Sequence, residues 1–148
     1  MIEIRVIQRN EEMYKEIRGL RYELFFAQHG LQESILDDEK ELHSIHVAAL
    51  DKQECVGYGR LTKLNENHFQ ISQMVVAPKY QGQGYGSILL NDLVTRAISL
   101  GAKEIVLNAR TTAKRFYSKH GFIETGNVFP SKNTGVPHIQ MKYTVTTS

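Results

Sequence analysis

The turn at residues 81–86 has the composition of an anion-binding loop. Its sequence, Gln-Gly-Gln-Gly-Tyr-Gly, follows a predicted strand and precedes a strongly amphipathic predicted helix. Glycine adopts backbone angles that other residues avoid, and without a Cβ atom it lets an anion approach several amides. The first turn of the helix adds unpaired N–H groups and the positive end of the helix dipole. The residues therefore predict a pyrophosphate cradle, with an unliganded glycine turn as the alternative.

Several nucleotide-binding motifs contain such glycines, and the residues next to the glycines distinguish these motifs from one another. A P-loop requires Gly-Lys-Ser or Gly-Lys-Thr, and residues 81–86 contain no lysine. A dinucleotide fingerprint would have its third glycine at the position of Ser87. The acidic ribose ligand of that fingerprint is also missing from the next predicted strand, although Arg110 could contact a 2′-phosphate. Triphosphate and dinucleotide binding are therefore disfavoured.

A second group of residues follows the helix in a fixed order. Asn108 ends a predicted strand, and an Ala-x-x-Phe-Tyr-x-Lys sequence beginning at Ala113 leads to Gly-Phe at 121–122. With the Gln-x-x-Gly-x-Gly of the turn, this order resembles the GNAT family of N-acetyltransferases. In that family a Gln/Arg-x-x-Gly-x-Gly/Ala motif at a helix start binds coenzyme A. The resemblance covers residues 69–125 firmly, and the order of the remaining elements is compatible with it.

The resemblance implies one α/β domain over residues 1–148, with a mixed, mostly antiparallel sheet of about seven strands flanked by about four helices. The sequences RYELFFAQHGL and PHIQMKY also look similar to the ElaA-like branch of the family. Acetyl-CoA is the implied cosubstrate. The implied partner is a small-molecule or peptide amine that accepts the acetyl group, and a homodimer is left open.

The resemblance also assigns residues to the coenzyme. Backbone groups of one strand would pair with the pantetheine arm, which can lie beside the strand like an added one. Amides of the glycine turn would hold the pyrophosphate, and Asn108 would bond an amide of the arm or, alternatively, cap the following turn. The implied coenzyme-binding residues are Met74, Val75, Val76, Gln81, Gly82, Gln83, Gly84, Tyr85, Gly86, Ser87, Asn108 and Phe116.

The implied reaction is direct attack of a neutral amine on the thioester carbonyl, so Cys55 is not needed as a nucleophile. A main-chain N–H near Met74 would meet the charge that develops on the carbonyl oxygen. Tyr117 would be the catalytic residue that protonates the departing thiolate. A core position beside Phe116 is the alternative for this tyrosine.

The base that deprotonates the amine is not assigned by the pattern. The family has a glutamate base on the strand that corresponds to residues 69–76, and this sequence has no glutamate there. The family also often has Asn or Asp just before its next helix, where this sequence has Arg110-Thr111-Thr112. His46 and His138 are candidates in predicted strands, although a lone strand histidine is more often structural. The other histidines show no metal-ligand spacing, so no metal is expected.

Two other classes of function stay open. A catalytically inactive acyl-CoA-binding regulatory module would keep the cradle, and the missing glutamate is consistent with that reading. A nicotinamide-dependent oxidoreductase would bind dinucleotides instead. A thiol-release assay with mixed amines tests the first alternative, and a binding response to coenzyme A but not to dinucleotides excludes the second.

Hydrophobic periodicity supplies the elements that position these residues. Strands are predicted at residues 2–7, 45–50, 56–64, 69–77, 104–109, 122–125 and 138–143. A first helix begins after Asn10, with Met13, Ile17, Leu20 and Leu24 as its core-facing stripe. The helix after the glycine turn ends at Gly101, and a short helix is predicted at 112–119. From 28 to 42 the pattern indicates a loop with, at most, a short helix.

The predicted strand at 69–77 changes phase within itself. Phe69 and Ile71 share one face of a period-two pattern, whereas Met74 and Val76 lie on the other. A β-bulge near residues 72–73 would produce this slip and splay the strand from its neighbour, and burial of both faces is the alternative.

Composition limits the class of protein. A chain of 148 residues with 41% hydrophobic and 23% charged residues fits one globular core. The formal charge of +2 gives no nucleic-acid footprint, and no apolar run is long enough to cross a membrane. The N-terminal sequence lacks a signal-peptide pattern, and Cys55 has no second cysteine to pair with, so a cytoplasmic location is expected.

The segment after the first helix is acidic. A solvated acidic loop is one reading of these charges. The other is a negative patch that attracts a positively charged amine such as a polyamine, an aminoglycoside-like compound or a lysine side chain. The acidic residues are Glu33, Asp37, Asp38, Glu39 and Glu41.

Overall fold

Seven strands join into one mixed sheet in the computed structural model, which describes residues 2–146. The strands are β1 (Ile2–Ile7), β2 (Ile45–Asp51), β3 (Glu54–Lys63), β4 (His68–Val76), β5 (Glu104–Arg110), β6 (Ile123–Pro130) and β7 (Pro137–Thr144). Their order across the sheet is β1-β2-β3-β4-β5-β7-β6, and only the β4/β5 pair is parallel. The predicted mixed, mostly antiparallel sheet is therefore confirmed. The largest boundary error is at β6, which continues past Thr125 because it resumes pairing with β7 after a register shift.

Three α-helices pack on the sheet within residues 2–146: α1 (Glu12–Phe25), α2 (Tyr85–Ser99) and α3 (Lys114–Lys119). The sequence predicted about four helices. The difference lies in the acidic segment, which forms the 3₁₀ turns Ala27–His29 and Glu33–Leu36 instead of an α-helix. Only Leu36 of these turns is buried, so the segment has no apolar stripe to stabilise a longer helix.

Helix α1 differs from its prediction in two ways. Its N-cap is Glu11 rather than Asn10, because Glu11 is the residue with an extended backbone directly before the first helical turn. Its buried face consists of Tyr14, Ile17 and Arg21, spaced three and four residues apart. The predicted stripe was correct at Ile17, but it missed a fully buried arginine.

The two faces of the sheet carry separate apolar clusters. On one face, Leu89, Leu90, Leu93 and Ala97 of α2 pack against the central strands. Gly59 of β3 permits this contact, because a Cβ atom there would lie 2.5 Å from Leu93 Cδ1. The other face packs α1 against residues of β1, β2 and β3.

Strands β4 and β5 pair over only three residues before they separate. Residues 68–70 pair with 104–106, and no later residue of β4 pairs with β5. The register of β4 against β3 also shifts, since Tyr58 pairs with Val75 whereas Arg60 pairs with Ser72. Two residues of β4 therefore lie opposite Gly59, and Gln73 has a left-handed φ of 50°. The predicted bulge is confirmed, and the strand splays where the sequence changes phase.

No helix among residues 2–146 is both long enough and apolar enough to span a membrane.

Candidate active site

The gap between β4 and β5 opens into a cleft of about 210 Å³. The bulge of β4 forms one wall, and the C-terminal end of β5 forms the other. Helices α1 and α3 and the loop before β7 close the remaining sides. The lining residues are Phe25, Phe26, Ile71, Ser72, Gln73, Met74, Leu107, Asn108, Ala109, Arg110, Ala113, Tyr117, Ser131, Thr134 and His138.

The glycine turn forms a second cleft at the start of α2. Gly82 and Gly84 have φ angles of 80° and 85°, and a Cβ atom built at either position would meet no atom within 4 Å. The backbone is therefore both left-handed and open, so an anion can approach it. Gly84 is the N-cap of α2, whose first amides lack intrahelical partners. This arrangement fits a pyrophosphate.

Most residues predicted to bind coenzyme line this second cleft. Gln81 anchors the turn, since its Nε2 donates to the Val76 carbonyl at 2.9 Å. Gly86 packs against Phe116, since a Cβ atom added there would be in van der Waals contact with the ring at 3.4 Å. The lining residues are Val76, Tyr80, Gln81, Gly82, Gly84, Tyr85, Gly86, Ser87 and Phe116.

Two residues predicted to bind coenzyme line neither cleft. Val75 packs into the apolar cluster on the α1 face of the sheet, so only its backbone is available to the gap. The exposed Gln83 side chain donates to the Lys79 carbonyl at 3.5 Å. Met74 and Asn108 lie instead on opposite walls of the first cleft.

Tyr117 lines the first of these clefts. Its neighbour Phe116 lines the glycine-turn cleft, whereas Tyr117 lines the β4/β5 cleft. The Tyr117 ring packs edge-on against Phe116 and Phe122, which fixes its position. Burial raises the pKa of Tyr117 to about 12, and the nearby Arg110 charge opposes that rise. The phenol is therefore protonated at neutral pH and can donate a hydrogen bond into the cleft.

The bulge is held by two buried arginines. Arg21 Nε donates to Gln73 Oε1 at 2.8 Å, and Arg60 Nε donates to Ser72 Oγ at 2.9 Å. Both guanidinium groups also bind Glu41, at distances of 2.7 to 2.9 Å. The side-chain amide oxygen of Gln73 is thus bonded to α1, which holds the residue whose backbone is left-handed.

Glu41 is the centre of this network. Its side chain is 2% exposed, and it accepts hydrogen bonds from Arg21, Arg60 and the Tyr14 hydroxyl. Burial alone would favour the neutral acid, but the hydrogen bonds from Arg21 and Tyr14 outweigh it and lower the pKa of Glu41 to about 2. The carboxylate is therefore ionised at neutral pH, and it neutralises part of the arginine charge beneath the bulge.

The sequence did not predict this network. A signal was present in α1, because Tyr14, Ile17 and Arg21 share one helix face. A charged residue in line with apolar ones, together with Arg60 within a hydrophobic strand, indicates buried cations that require acidic partners.

The acidic segment is mostly paired with arginine. Arg18 binds Glu33 at 2.9 Å and Asp37 at 2.6 Å. Arg60 binds both carboxylate oxygens of Asp38, at 2.9 and 3.0 Å. With Glu41, four of the five acidic residues of this segment are ion-paired within the described chain. Because these carboxylates bind arginines of α1 and β3, the structure favours the acidic-loop reading over the negative patch that would attract a cationic amine.

The two histidine candidates for the base lie in different environments. His46 is 3% exposed, and its ring nitrogens contact the Tyr58 hydroxyl and the Glu41 carbonyl. Burial lowers the pKa of His46, so it is a neutral structural residue. His138 lines the β4/β5 cleft, and its Nδ1 lies 2.7 Å from the Val136 carbonyl. Since a carbonyl only accepts, Nδ1 carries the proton and Nε2 of the neutral ring keeps its lone pair.

Two further expectations concern reactive groups. Burial raises the pKa of Cys55 to about 11, and its thiol donates to the Gly57 carbonyl at 3.4 Å. The protonated thiol is a poor nucleophile, in agreement with its predicted dispensability. Among residues 2–146, no group of three or more His, Cys, Asp or Glu is arranged to hold a metal ion.

The chain belongs to the GNAT acetyltransferase family, since residues 8–145 match the model of the acetyltransferase (GNAT) domain. It is 32% identical over 139 residues to the uncharacterized N-acetyltransferase YjcF of Bacillus subtilis (strain 168), with 92% of this chain and 96% of that protein covered.

Solved structures of the family share the fold. Escherichia coli ElaA has a TM-score of 0.81 and 22% identity, covering 97% of this chain and 99% of its own. An aminoglycoside 6′-N-acetyltransferase complexed with coenzyme A also has a TM-score of 0.81, with 21% identity over 99% of this chain and 98% of its own. At these identities the comparison shows a common fold.

Proposed function

We propose that this acetyltransferase moves the acetyl group of acetyl-CoA to an amine, which attacks the thioester directly. The observation that carries the proposal is a pair of clefts, one at the glycine turn and one in the gap where β4 and β5 separate. Phe116 and Tyr117 are consecutive on α3 and line the two clefts, so one extended ligand can occupy both. An aminoglycoside 6′-N-acetyltransferase of similar fold has been solved in complex with coenzyme A, which supports coenzyme binding by a protein of this fold.

The open turn at Gly82 and Gly84 would hold the pyrophosphate of the coenzyme, with the amides at the start of α2. The unpaired edge of β4 after Gln70 would bond the pantetheine arm as an added strand. This brings the thioester to the bulge, where a main-chain N–H near Met74 can stabilise the developing oxyanion. Asn108, across the gap, can bond an amide of the arm.

Tyr117 would act on the leaving group. Its raised pKa keeps the hydroxyl protonated, so it can donate to the sulfur as the C–S bond breaks. The phenol is surrounded by Phe116 and Phe122, and exclusion of water there strengthens a hydrogen bond to the thiolate.

His138 would accept the proton of the incoming amine. Its Nε2 has a lone pair because Nδ1 donates to the Val136 carbonyl, and the ring lines the cleft that also contains Tyr117. No Asp or Glu of the described residues lines that cleft, so no carboxylate there competes with the His138 imidazole as the general base.

The test is release of free thiol from acetyl-CoA with a panel of amines, in wild type and in His138→Gln. We expect amine-dependent release, with acetyl-CoA affinity unchanged in the variant and kcat lowered about 100-fold, as for loss of a general base. The defect should shrink for weakly basic amines that are already neutral at the assay pH. Tight acetyl-CoA binding without release by any amine would instead favour an inactive binding module.

A further inference from the structure

Arg110 differs from the other arginines of the described chain in its partners. Each of the five other arginines that are at least partly buried has a carboxylate partner. Arg9 and Arg115 are exposed. Arg110 is partly buried, yet no carboxylate of residues 2–146 lies within ion-pair distance of it. A guanidinium in a cleft without a counter-ion is a site for an anion from outside the chain.

The contacts of Arg110 fix its position without using its binding capacity. Its guanidinium carbon lies 5.4 Å from the centre of the Phe25 ring, and one Nη donates to the Leu24 carbonyl at 3.5 Å. A guanidinium has five N–H donors, and this long bond occupies one of them. Stacking on the aromatic ring holds the planar group at the end of α1, so the remaining donors are preorganised.

The surroundings of Arg110 also suit an anion. It pairs across the sheet with His138, which places the cation beside the proposed base. The same cleft contains the hydroxyl groups of Ser131 and Thr134 and no Asp or Glu side chain of the described chain. The cleft therefore has hydrogen-bond donors and one fixed positive charge, and it lacks the carboxylates that would bind a second cationic group of a polyamine.

We propose that the acceptor carries an anionic group, a carboxylate or a phosphate ester, in addition to the amine, and that Arg110 binds this group. The proposal rests on the proposed amine acetylation, because it names the acceptor class of the same cleft. Arg110 lies outside the glycine-turn cleft, so this anion is separate from the coenzyme pyrophosphate. The anion on Arg110 would hold the acceptor so that its amine lies near His138.

Calorimetry on the protein saturated with coenzyme A tests the proposal without requiring turnover. The probes are the common amino acids against their carboxamides, and phosphoethanolamine against ethanolamine. The first set tests a carboxylate and the second a phosphate. At least one anionic probe should bind about 10-fold or more tightly than its uncharged counterpart, since charge-assisted bidentate pairs are strong.

Variants connect the preference to Arg110. Arg110→Gln should erase it, whereas Arg115→Gln, which makes the same charge change at an exposed position of α3, should retain it. Equal binding of all matched pairs, including no binding by any, overturns the proposal, as does a preference that survives in Arg110→Gln. Thiol release with the same probes tests the chemistry separately. If the acid and its carboxamide are acetylated equally well, the anion site is refuted but the transferase reaction is not. If the anionic probes bind but no thiol is released, the transferase reaction is refuted but the anion site is not.

Discussion

Glu41→Gln tests whether the buried ion network stabilises the bulge and the fold. Glutamine has nearly the shape of a protonated glutamate, so the substitution retains the packing. It removes the negative charge, so Arg21 and Arg60 lose their shared carboxylate. In the folded protein the pKa of Glu41 is lowered from 4.5 to about 2. That difference corresponds to about 3 kcal/mol of stability at pH 7. We expect Glu41→Gln to lower the free energy of unfolding by about this amount, within the range of 3–5 kcal/mol for broken buried pairs.

The pH dependence of the stabilisation by Glu41 provides a second test. Because the folded pKa is below the unfolded one, the stabilisation is complete above pH 4.5 and is lost as the pH falls toward 2. At pH 3.5, roughly two fifths of the difference between wild type and Glu41→Gln should therefore have disappeared.

Urea unfolding at pH 7 and pH 3.5 measures both quantities. Glu33→Gln is the matched control, since its carboxylate pairs with Arg18 but is 57% exposed; it should cost less than about 1 kcal/mol at either pH. A loss of under about 1 kcal/mol in Glu41→Gln, or a loss that does not change between the two pH values, would refute the reasoning.

Two further variants test the proposed leaving-group residue and the acidic segment. Tyr117→Phe should lower kcat by about 10-fold or more with little change in acetyl-CoA affinity, because only the hydroxyl is removed; wild-type turnover would leave Tyr117 a packing residue. Asp37→Asn combined with Asp38→Asn should destabilise the fold by about 1 to 2 kcal/mol, because both carboxylates bind arginine. Its acceptor KM in steady-state kinetics should equal that of the wild type, and a clear rise on substitution would support the negative patch instead.

Local patterns predicted the sheet, the bulge and the glycine turn because each leaves a mark within a few residues. The phase slip between Ile71 and Met74 indicated the bulge, and the glycine spacing indicated an open turn before α2. The network around Glu41 could not be predicted in this way. Its members come from α1, the acidic segment and β3, and only the folded chain brings them together. For the same reason, the sequence could not show that the carboxylates of the acidic segment pair with arginines, because those arginines are distant in sequence.

The sequence also could not show which of the two strand histidines is available as a base. His46 and His138 both lie in strands, and nothing in their neighbouring residues distinguishes them. The structure separates them by burial and partners, since His46 is enclosed by Tyr58 and Glu41 whereas His138 faces the cleft.

Calorimetric titration of acetyl-CoA into wild type and Gly84→Glu tests the central claim most directly. Gly84 has a φ of 85° and open space where a Cβ atom would be, so the substitution adds a negative charge to the cradle without a clash. The same substitution at Gly30, which also has a left-handed φ of 70° and open space, is the control for backbone strain. We predict that wild type and Gly30→Glu bind acetyl-CoA and that folded Gly84→Glu loses about 100-fold or more in affinity, from charge repulsion with the phosphates of the coenzyme. Equal affinity in all three folded proteins would contradict the claim that this turn holds the coenzyme.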